Sequence, residues 1–318
     1  MTNSLRIAVH SDFHIDAASH QSDIRLTLPP CDVLVVAGDV CAPCYRMMKQ
    51  GYHGALRWLR SQAGADLPIV FVLGNSEYSH FNYDQVVENL AQEAREQGIY
   101  FLHDSYVDLL GVRFLGSPLF SSVQLPQQCP DLLARYIDSK LVHFDMSRLD
   151  NDRCVCGSRP ICASVNWRSG TRHGNEVVVD HDWYIQQYLK SRTFLTQQLD
   201  GPCPLPRVVV SHWAPSLASI DPSEIPLSEK HAYWASDNDD LVVRANVWIH
   251  GHVHKSVHYR LGSDPNRGLV LSNCLGHPQE LFGNPLYCPQ GLLDLSWDTP
   301  ERVHTNWSGI DIHPPTRI

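Results

Sequence analysis

Five apolar stretches of the sequence run directly into side chains that can bind a divalent metal ion. These side chains are Asp12, His14, Asp39, Asn75, His212, His252 and His254. The Asp-x-His and His-x-His spacings put two ligands on the same side of an extended segment, because side chains alternate with a period of two. Mixed carboxylate, amide and imidazole ligands favour Mn, Fe, Zn, Co or Ni over Ca. The residue types therefore predict a centre for two divalent metal ions.

Two such ions would catalyse the hydrolysis of a phosphate ester. Held roughly 3.5–4 Å apart, they clamp a phosphoryl group and lower the pKa of a bridging water, which yields a hydroxide nucleophile near neutral pH. Glycines precede Asp39, Asn75 and His252, and glycine permits a tight turn with close backbone approach. Any one of these polar residues alone is more often a strand-end group or a helix cap. Five such pieces in order favour the metal centre.

The elements that must position these residues alternate between strands and helices. Strands are predicted at residues 5–9, 33–37, 69–73, 208–210, 247–249, 257–260 and 269–271, and helices at residues 54–63, 83–97 and 183–199. This alternation predicts strands buried by helices in an α/β layer structure. Ligands of open α/β sheets bind beyond the carboxyl ends of the strands, so neighbouring strands would bring the seven side chains to one edge. Three closely spaced runs at residues 101–103, 106–110 and 112–115 are interpreted as hairpins in the same sheet.

Residues 1–298 are predicted to form one domain, with an insertion at about residues 121–182 and a C-terminal tail at residues 299–318. The insertion shows weak hydrophobic periodicity, and no acidic residue occurs between Arg153 and His173. Its arginines are interpreted either as a solvated face or as a guide for a phosphate substrate, since the arginine fork matches phosphate oxygens. The residues Cys154, Cys156, Cys162 and His173 leave a structural zinc site open.

The composition limits the classes of partner. The chain of 318 residues has a formal charge of -9, and this acidic balance disfavours sequence-independent binding of nucleic acid, which relies on Lys and Arg. No apolar stretch approaches the roughly 20 residues that span a bilayer, and the first residues lack the basic-then-apolar layout of a secretory signal. We therefore expect a cytoplasmic protein with no membrane partner and with most of its 10 cysteines reduced.

The ordered motifs resemble those of one known family. Asp-x-His, Gly-Asp, Gly-Asn-x-Glu, a His after a strand and Gly-His-x-His follow one another in a way that resembles the calcineurin-like metallophosphoesterases. Residues 211–216, 233–237, 248–256 and 284–285 are further similar to a bacterial branch of single-domain members. The resemblance covers roughly residues 5–295 outside the insertion. It implies an α/β fold, a four-layer α/β/β/α sandwich of two mixed sheets with flanking helices.

The resemblance also implies a role for each ligand. Asp12, His14 and His254 would hold one metal, Asn75, His212 and His252 would hold the other, and Asp39 would bridge them. The candidate catalytic residues are Asp39, Asn75, His252 and Ser76. Two carboxylates against two divalent ions leave net positive charge, which would attract a phosphate ester and stabilise its transition state.

Two positions depart from the family pattern. Ser76 stands where the family usually has a His that helps to protonate the leaving group, and a hydroxyl has no useful pKa for that work near pH 7. Three explanations stay open: a substrate with a good leaving group or a diester, a substitute such as His10, His53 or His80, or reduced activity. Trp213 replaces a second His of this branch, and we expect it to reshape the pocket wall without changing the metal count.

The expected function is hydrolysis of a phosphoester by a metal-bridging hydroxide. A phosphodiester or nucleotide-type substrate is slightly favoured over a simple monoester. The alternative is a metal-binding regulatory or binding protein with weak catalysis, because Ser76 replaces the usual His. A nuclease acting on polynucleotides is disfavoured by the acidic charge but kept open by the arginine-rich insertion.

Overall fold

A computed structural model describes most of the chain outside the predicted insertion. The described residues are 4–15, 24–43, 47–48, 50–78, 81–122, 181–224, 229–277, 284–297, 303–307 and 310–311. The arginines and cysteines of the insertion, His173 and His80 lie outside these residues. The expectations placed on them, and the division into domain, insertion and tail, stay predictions.

The predicted strands and helices form with bounds that agree to within two residues. The strands are β1 (Ser4–His10), β2 (Val33–Ala37), β3 (Ile69–Val72), β4 (Tyr100–Phe101), β5 (Ser105–Leu109), β6 (Val112–Ser117), β7 (Arg207–Ser211), β8 (Val247–Ile249), β9 (Val257–Arg260), β10 (Leu269–Ser272), β11 (Leu292–Ser296), β12 (Val303–Thr305) and β13 (Ile310–Asp311). The helices are α1 (Ala55–Ala63), α2 (Tyr83–Gln97), α3 (His181–Asp200), α4 (Glu229–Trp234) and α5 (Asp239–Val242). Within the described stretches, none of the helices has the length and apolar character needed to cross a membrane. The cytoplasmic location stays a prediction.

Two mixed sheets contain these strands. The first has the order β12-β11-β1-β2-β3-β4, in which β1 to β4 are parallel and β11 and β12 are antiparallel to their neighbours. The second has the order β13-β9-β10-β8-β7-β6-β5, in which β10, β8, β7 and β6 are parallel. Parallel neighbours point their carboxyl ends in the same direction, so β1, β2 and β3 end together, and so do β7 and β8.

Apolar side chains on both faces of the strands build the core. Ile7 and Val9 of β1 pack between the two sheets with Val208 of β7. Between them along the chain, Ala8 joins a second cluster that includes Leu56 of α1, because successive side chains of a strand point to opposite faces. In the sequence, strands that are buried on both faces appear as continuous apolar runs. Two mixed sheets with flanking helices confirm the predicted α/β sandwich.

One prediction about the strands is wrong. β4 pairs with β3 in the first sheet, whereas β5 and β6 form a hairpin in the second sheet. The chain crosses between the sheets after Leu102, whose side chain is buried against Gly116 of β6. A Cβ at Gly116 would lie 2.1 Å from Leu102 Cβ, so the glycine makes room for the crossing. Asp104 then adopts a left-handed φ of 46°, which redirects the chain into β5.

The end of the chain adds strands to both sheets. β12 pairs with β11 in the first sheet, and β13 pairs with β9 in the second. Both strands fall within the residues predicted as a tail. β11 itself lies beside β1 and was not predicted, because its buried and half-exposed residues alternate without a continuous apolar run.

Candidate metal centre

The predicted ligands lie where five strands end at one edge of the sandwich. Asp12 and His14 follow β1, Asp39 follows β2, Asn75 follows β3, His212 follows β7, and His252 and His254 follow β8. Two hydrogen bonds join the sheets here. The backbone N–H of His252 donates to the Asp12 carboxylate over 3.0 Å, and His212 Nδ1 donates to the Ala37 carbonyl over 2.8 Å. The edge that carries the ligands is therefore shared by both sheets.

Two groups of these side chains could each hold an ion. The His14 group consists of Asp12, His14, Asp39 and His254, and the His212 group consists of Asp39, His212 and His252. The ligand atoms within each group lie within 4.8 Å of one another. Asn75 adjoins the His212 group, because its Oδ1 lies 3.2 Å from His212 Nε2. This grouping parallels the division that the family resemblance implies, and the individual roles stay predictions.

Asp39 presents one carboxylate oxygen to each group. Its Oδ2 lies 3.6 Å from His14 Nε2, and its Oδ1 lies 3.4 Å from His212 Nε2. A carboxylate placed in this way can bind two cations at once. The preceding Gly38 has a φ of 85°, and a Cβ there would lie 2.6 Å from His212 Nδ1. Only glycine lets the turn bring Asp39 this close to His212.

The donor atoms present fit divalent metal ions. Asp39 Oδ2 and His252 Nε2 are buried and, in the part of the chain that the structure describes, have no hydrogen-bond partner. A buried polar group left unsatisfied costs about 1–3 kcal/mol, and a cation in each ligand group would satisfy these atoms. His14 Nε2 lies 3.1 Å from His254 Nε2, which lies 3.5 Å from Asp12 Oδ1. Converging imidazole nitrogens and carboxylate oxygens suit Mn, Fe, Zn, Co or Ni.

Five of the seven predicted ligands have a left-handed backbone. The φ angle is 57° at Asp12, 43° at His14, 55° at Asp39, 69° at His252 and 50° at His254. Residues other than glycine adopt this region uncommonly, and each instance stores about 1–3 kcal/mol of strain. Strain that is concentrated on one set of side chains indicates that the loops are shaped to aim those side chains at the site.

Neighbouring polar groups orient the histidines. His212 uses Nδ1 to donate to the Ala37 carbonyl, which leaves Nε2 facing Asp39. Ser76 Oγ lies 3.3 Å from His14 Nδ1, and the Ser76 backbone N–H donates to Asp39 Oδ1 over 2.8 Å. Contacts of this kind on the second ring nitrogen fix the tautomer and direction of a metal-binding histidine.

Glu77 ties the loops of the first sheet together. Its buried carboxylate accepts hydrogen bonds from the backbone N–H groups of Gly74 (2.6 Å), Asp39 (2.9 Å), Val40 (2.6 Å) and Cys41 (3.3 Å). Burial and the nearby Asp39 raise the pKa of Glu77 to about 8, whereas the Gly74 and Asp39 donors act in the opposite direction. Glu77 belongs to the Gly-Asn-x-Glu motif, but the sequence did not reveal this bracing role.

The charged groups of the site shift each other's pKa values. Burial alone would lower the pKa of His212, but the carboxylates of Asp39 and Asp12 raise it to about 9. Burial alone would raise the pKa of Asp39, but His212 and His14 lower it well below its usual range. Burial lowers the pKa of His252 well below its ordinary value. At neutral pH, Asp39 is therefore ionised and His252 neutral, the forms that metal binding requires, whereas His212 would release a proton when an ion binds.

Two aromatic rings pack next to His252. The ring centroids of Trp213 and Tyr233 each lie 5.1 Å from that of His252. Trp213 is itself stacked on Phe120, with a centroid distance of 4.6 Å. Trp213 thus lies against a ligand of the His212 group, and its expected neutrality toward the metal count stays a prediction.

Two histidines considered as substitutes for Ser76 have other partners. His53 Nε2 donates to the Glu77 carbonyl over 2.8 Å, and His10 Nδ1 lies 3.1 Å from Tyr287 Oη. The sequence analysis missed His277, whose ring centroid lies 5.0 Å from that of His14. A single His after a glycine belongs to no recognisable ligand motif. Its position beside His14 becomes evident only from the pairing of distant segments in the fold.

The fold resembles that of a solved protein structure. The structure of a phosphopantetheinyl hydrolase from Mycobacterium tuberculosis superposes with a TM-score of 0.53 at 15% identity, covering 91% of this chain and 100% of that one. The Haemophilus influenzae NAD nucleotidase gives a TM-score of 0.42 at 10% identity, covering 95% of this chain and 55% of that one. No protein-family model and no curated protein matches the sequence. The likeness to the first structure supports the sandwich fold, and membership of the metallophosphoesterase family stays a prediction.

Proposed function

We propose that this protein is a metallophosphoesterase that hydrolyses a phosphoester with two divalent metal ions held by the seven predicted ligands. The observation that supports this most strongly is the placement of Asp39, whose two carboxylate oxygens face different groups of ligands at 3.6 Å and 3.4 Å. Paired ions of this kind occur in phosphatases and nucleases. Mn, Fe, Zn, Ni or Co would suit the nitrogen and oxygen donors.

The chain itself contributes position and charge to the reaction. Bound ions would supply an activated water and positive charge at the transferring phosphoryl group. Asp39 is held by the Ser76 backbone N–H, and His212 is held by the Ala37 carbonyl. Groups that are already in place stabilise a transition state without reorganising during the reaction.

A phosphodiester or nucleotide-type substrate is favoured over a simple monoester. Ser76 Oγ lies 3.3 Å from His14 Nδ1, and a hydroxyl is a poor general acid near pH 7. A substrate whose leaving group departs without a strong proton donor fits this arrangement best. We propose a phosphate-ester small molecule or a nucleotide as the partner, because the net charge of -9 disfavours a nucleic acid.

A second candidate function starts from the same residue. If the lack of an imidazole at Ser76 impairs the reaction, the protein would bind metal ions but act as a regulatory or binding protein with weak catalysis. Metal binding by the wild-type protein without turnover of any phosphoester would favour this alternative.

Turnover by ligand variants tests the proposal. Asp39→Ala and His252→Ala should each abolish hydrolysis of an activated aryl phosphodiester, because the first removes the shared carboxylate and the second removes a buried imidazole. Initial rates would be measured with Mn²⁺ on an aryl monoester and an aryl diester, after circular dichroism has shown that the variants fold.

The matched controls are Asp264→Ala and His258→Ala, which change the same residue types on loop and strand positions outside both ligand groups. Both controls should retain wild-type rates. Unchanged turnover in the Asp39 and His252 variants would reject the two-metal mechanism.

A further inference from the structure

The candidate metal centre has a buried floor and a half-buried rim. Asp12, Asp39, His212 and His252 are buried and form the floor. Four half-buried residues, Asn75, Ser76, His254 and His277, form one part of the rim, and the half-buried Tyr233 adjoins His252 at another part. The half-buried residues, unlike those of the floor, are partly accessible to solvent and could be reached by a phosphoryl group.

Three of the four rim residues already act on the ligand groups. Asn75 Oδ1 lies 3.2 Å from His212 Nε2, and Ser76 Oγ lies 3.3 Å from His14 Nδ1. His254 Nε2 lies 3.5 Å from Asp12 Oδ1. These side chains would be occupied in holding the ions or in orienting their ligands.

His277 is the fourth rim residue, and it lies against the His14 group without joining it. Its ring centroid is 5.0 Å from that of His14, with the two rings tilted by 34°. Within the described residues, it belongs to neither of the two groups of potential metal ligands. His277 is therefore a half-buried imidazole next to the His14 group that is not one of its potential metal ligands.

The backbone fixes the position of His277. Ser11 and Cys274 form an isolated parallel bridge, and Leu275 N–H donates to the Ser11 carbonyl over 3.0 Å. Gly276 N–H donates to the Asp12 carbonyl over 3.1 Å, and Gly276 adopts a φ of 84°. The segment that precedes His277 is thus held against the loop that carries Asp12 and His14, which places the His277 backbone beside that loop.

His250 and Lys255 also lie next to predicted ligands in the chain, and each contacts other residues. His250 Nδ1 lies 2.9 Å from the Gly251 carbonyl, and its Nε2 lies 2.9 Å from Ser219 Oγ. Lys255, which follows His254, is paired with Asp221 at 3.9 Å.

We propose that His277 binds the phosphoryl group of the substrate by donating a ring N–H to one of its oxygens. A neutral imidazole already carries one N–H donor, so the contact requires no change of charge. This inference rests on the proposed function, since it assigns a substrate contact to the same site. The ligand class is a phosphate ester or phosphate itself, with the oxygen presented beside the ion of the His14 group.

Phosphate binding tests the assignment directly. Inorganic phosphate would be titrated calorimetrically into protein saturated with Mn²⁺, for the wild type, His277→Ala, His277→Asn and the control His258→Ala. His277→Ala should weaken phosphate binding by about 10-fold, as expected for the loss of one hydrogen bond to a charged group. His277→Asn should recover part of the affinity because its amide is also a donor, and His258→Ala should match the wild type.

Metal content, measured on the same samples, separates binding from support of the ligands. The inference predicts wild-type metal content in both His277 variants. Phosphate affinity within twofold of the wild type would overturn it, and so would a loss that disappears when the Mn²⁺ concentration is raised. A wild-type protein that turns over phosphoesters while the His277 variants bind phosphate normally rejects only this inference, whereas a wild type without turnover or phosphate binding rejects the proposed function as well.

Discussion

Ser76 contacts two predicted ligands at once. Its backbone N–H donates to Asp39 Oδ1 over 2.8 Å, and its hydroxyl lies 3.3 Å from His14 Nδ1. With Nδ1 engaged, the Nε2 atom of His14 faces Asp39 Oδ2 at 3.6 Å. A contact on the second nitrogen orients a metal-binding histidine. Ser76 is therefore best understood as a positioning residue for His14, which explains how a serine can serve where a proton donor was expected.

Substitutions of Ser76 separate this positioning role from an impaired active site. Ser76→Ala should lower the affinity for Mn²⁺ by roughly 10-fold, because contacts of this kind typically contribute 10- to 100-fold. Ser76→His should give no gain in turnover of an unactivated phosphodiester, because the substitution removes the hydroxyl that contacts His14 Nδ1. Affinity would be measured by metal titration and turnover by initial rates.

The control for these variants is Ser61→Ala on α1, where the exposed hydroxyl donates to the Trp58 carbonyl. It should leave both quantities unchanged. A large rate gain in Ser76→His would show instead that the natural active site is impaired, and the weakly catalytic alternative would then be preferred.

At the level of the elements, the strands that carry ligands were predictable because each one is a short apolar run that ends in a polar residue. The helix α2 was predicted with its observed bounds, Tyr83–Gln97, and it begins after Asn82, whose side chain accepts from Gln85 N–H, and ends before Gly98. The choice of sheet was not predictable. β4 and β5 are separated by three residues, and only the packing of Leu102 against Gly116 sends them to different sheets.

The residues of the candidate site likewise divide into those that the sequence pattern indicates and those that it does not. The candidate ligands could be selected from the sequence because their spacing repeats after successive strands, whereas Glu77 and His277 make contacts that spacing does not encode. Glu77 reaches backbone N–H groups up to 38 residues away in the chain. His277 reaches His14 because the segment at Cys274 pairs with Ser11. Both contacts depend on tertiary structure and could not be deduced from local patterns.

Glu77 should be essential for the stability of the two loops that it joins. Glu77→Ala leaves four backbone N–H groups without their acceptor, and we expect the free energy of unfolding to fall by at least about 3 kcal/mol. Glu77→Gln keeps one acceptor oxygen, so its free energy of unfolding should lie between those of the wild type and Glu77→Ala. Urea unfolding with a chelator present would measure the effect independently of bound metal.

Glu96→Ala is the matched control, since this exposed glutamate pairs with Arg57 at 3.7 Å. Its effect should stay within about 0.5 kcal/mol. If the free energy of unfolding of Glu77→Ala lay within about 1 kcal/mol of the wild-type value, the carboxylate would not be stabilising the loops as the hydrogen bonds indicate.

At the scale of the whole molecule, the candidate site lies where the two sheets meet. The His252 N–H reaches Asp12 from the second sheet to the first, and His212 Nδ1 reaches the Ala37 carbonyl in the same direction. Ions bound by ligands from both sheets would link them further. A ligand that binds only the native state stabilises that state. Metal binding and the stability of the sandwich should therefore be coupled.

The crossing between the sheets should make stability depend on pH. His103 lies in this crossing, where its Nε2 is 2.7 Å from Tyr83 Oη, and burial lowers the pKa of His103. The folded protein thus favours the neutral ring, so its contribution is present above the pKa of an unfolded histidine, about 6.5, and is lost as the pH falls below that value. The stability advantage of the wild type over His103→Gln should therefore shrink between about pH 7.5 and about pH 5. Urea unfolding at both pH values measures it, and an advantage that grows on acidification would contradict the assignment.

The number of bound ions tests the central claim most directly. Protein purified with Mn²⁺ and without chelator would be freed of unbound metal and analysed by mass spectrometry, for the wild type, His254→Ala and His212→Ala. The wild type should hold two ions per chain, and each variant should hold one, because His254 belongs only to the His14 group and His212 only to the His212 group. A wild type without bound metal, or variants that both keep two ions, would contradict the account.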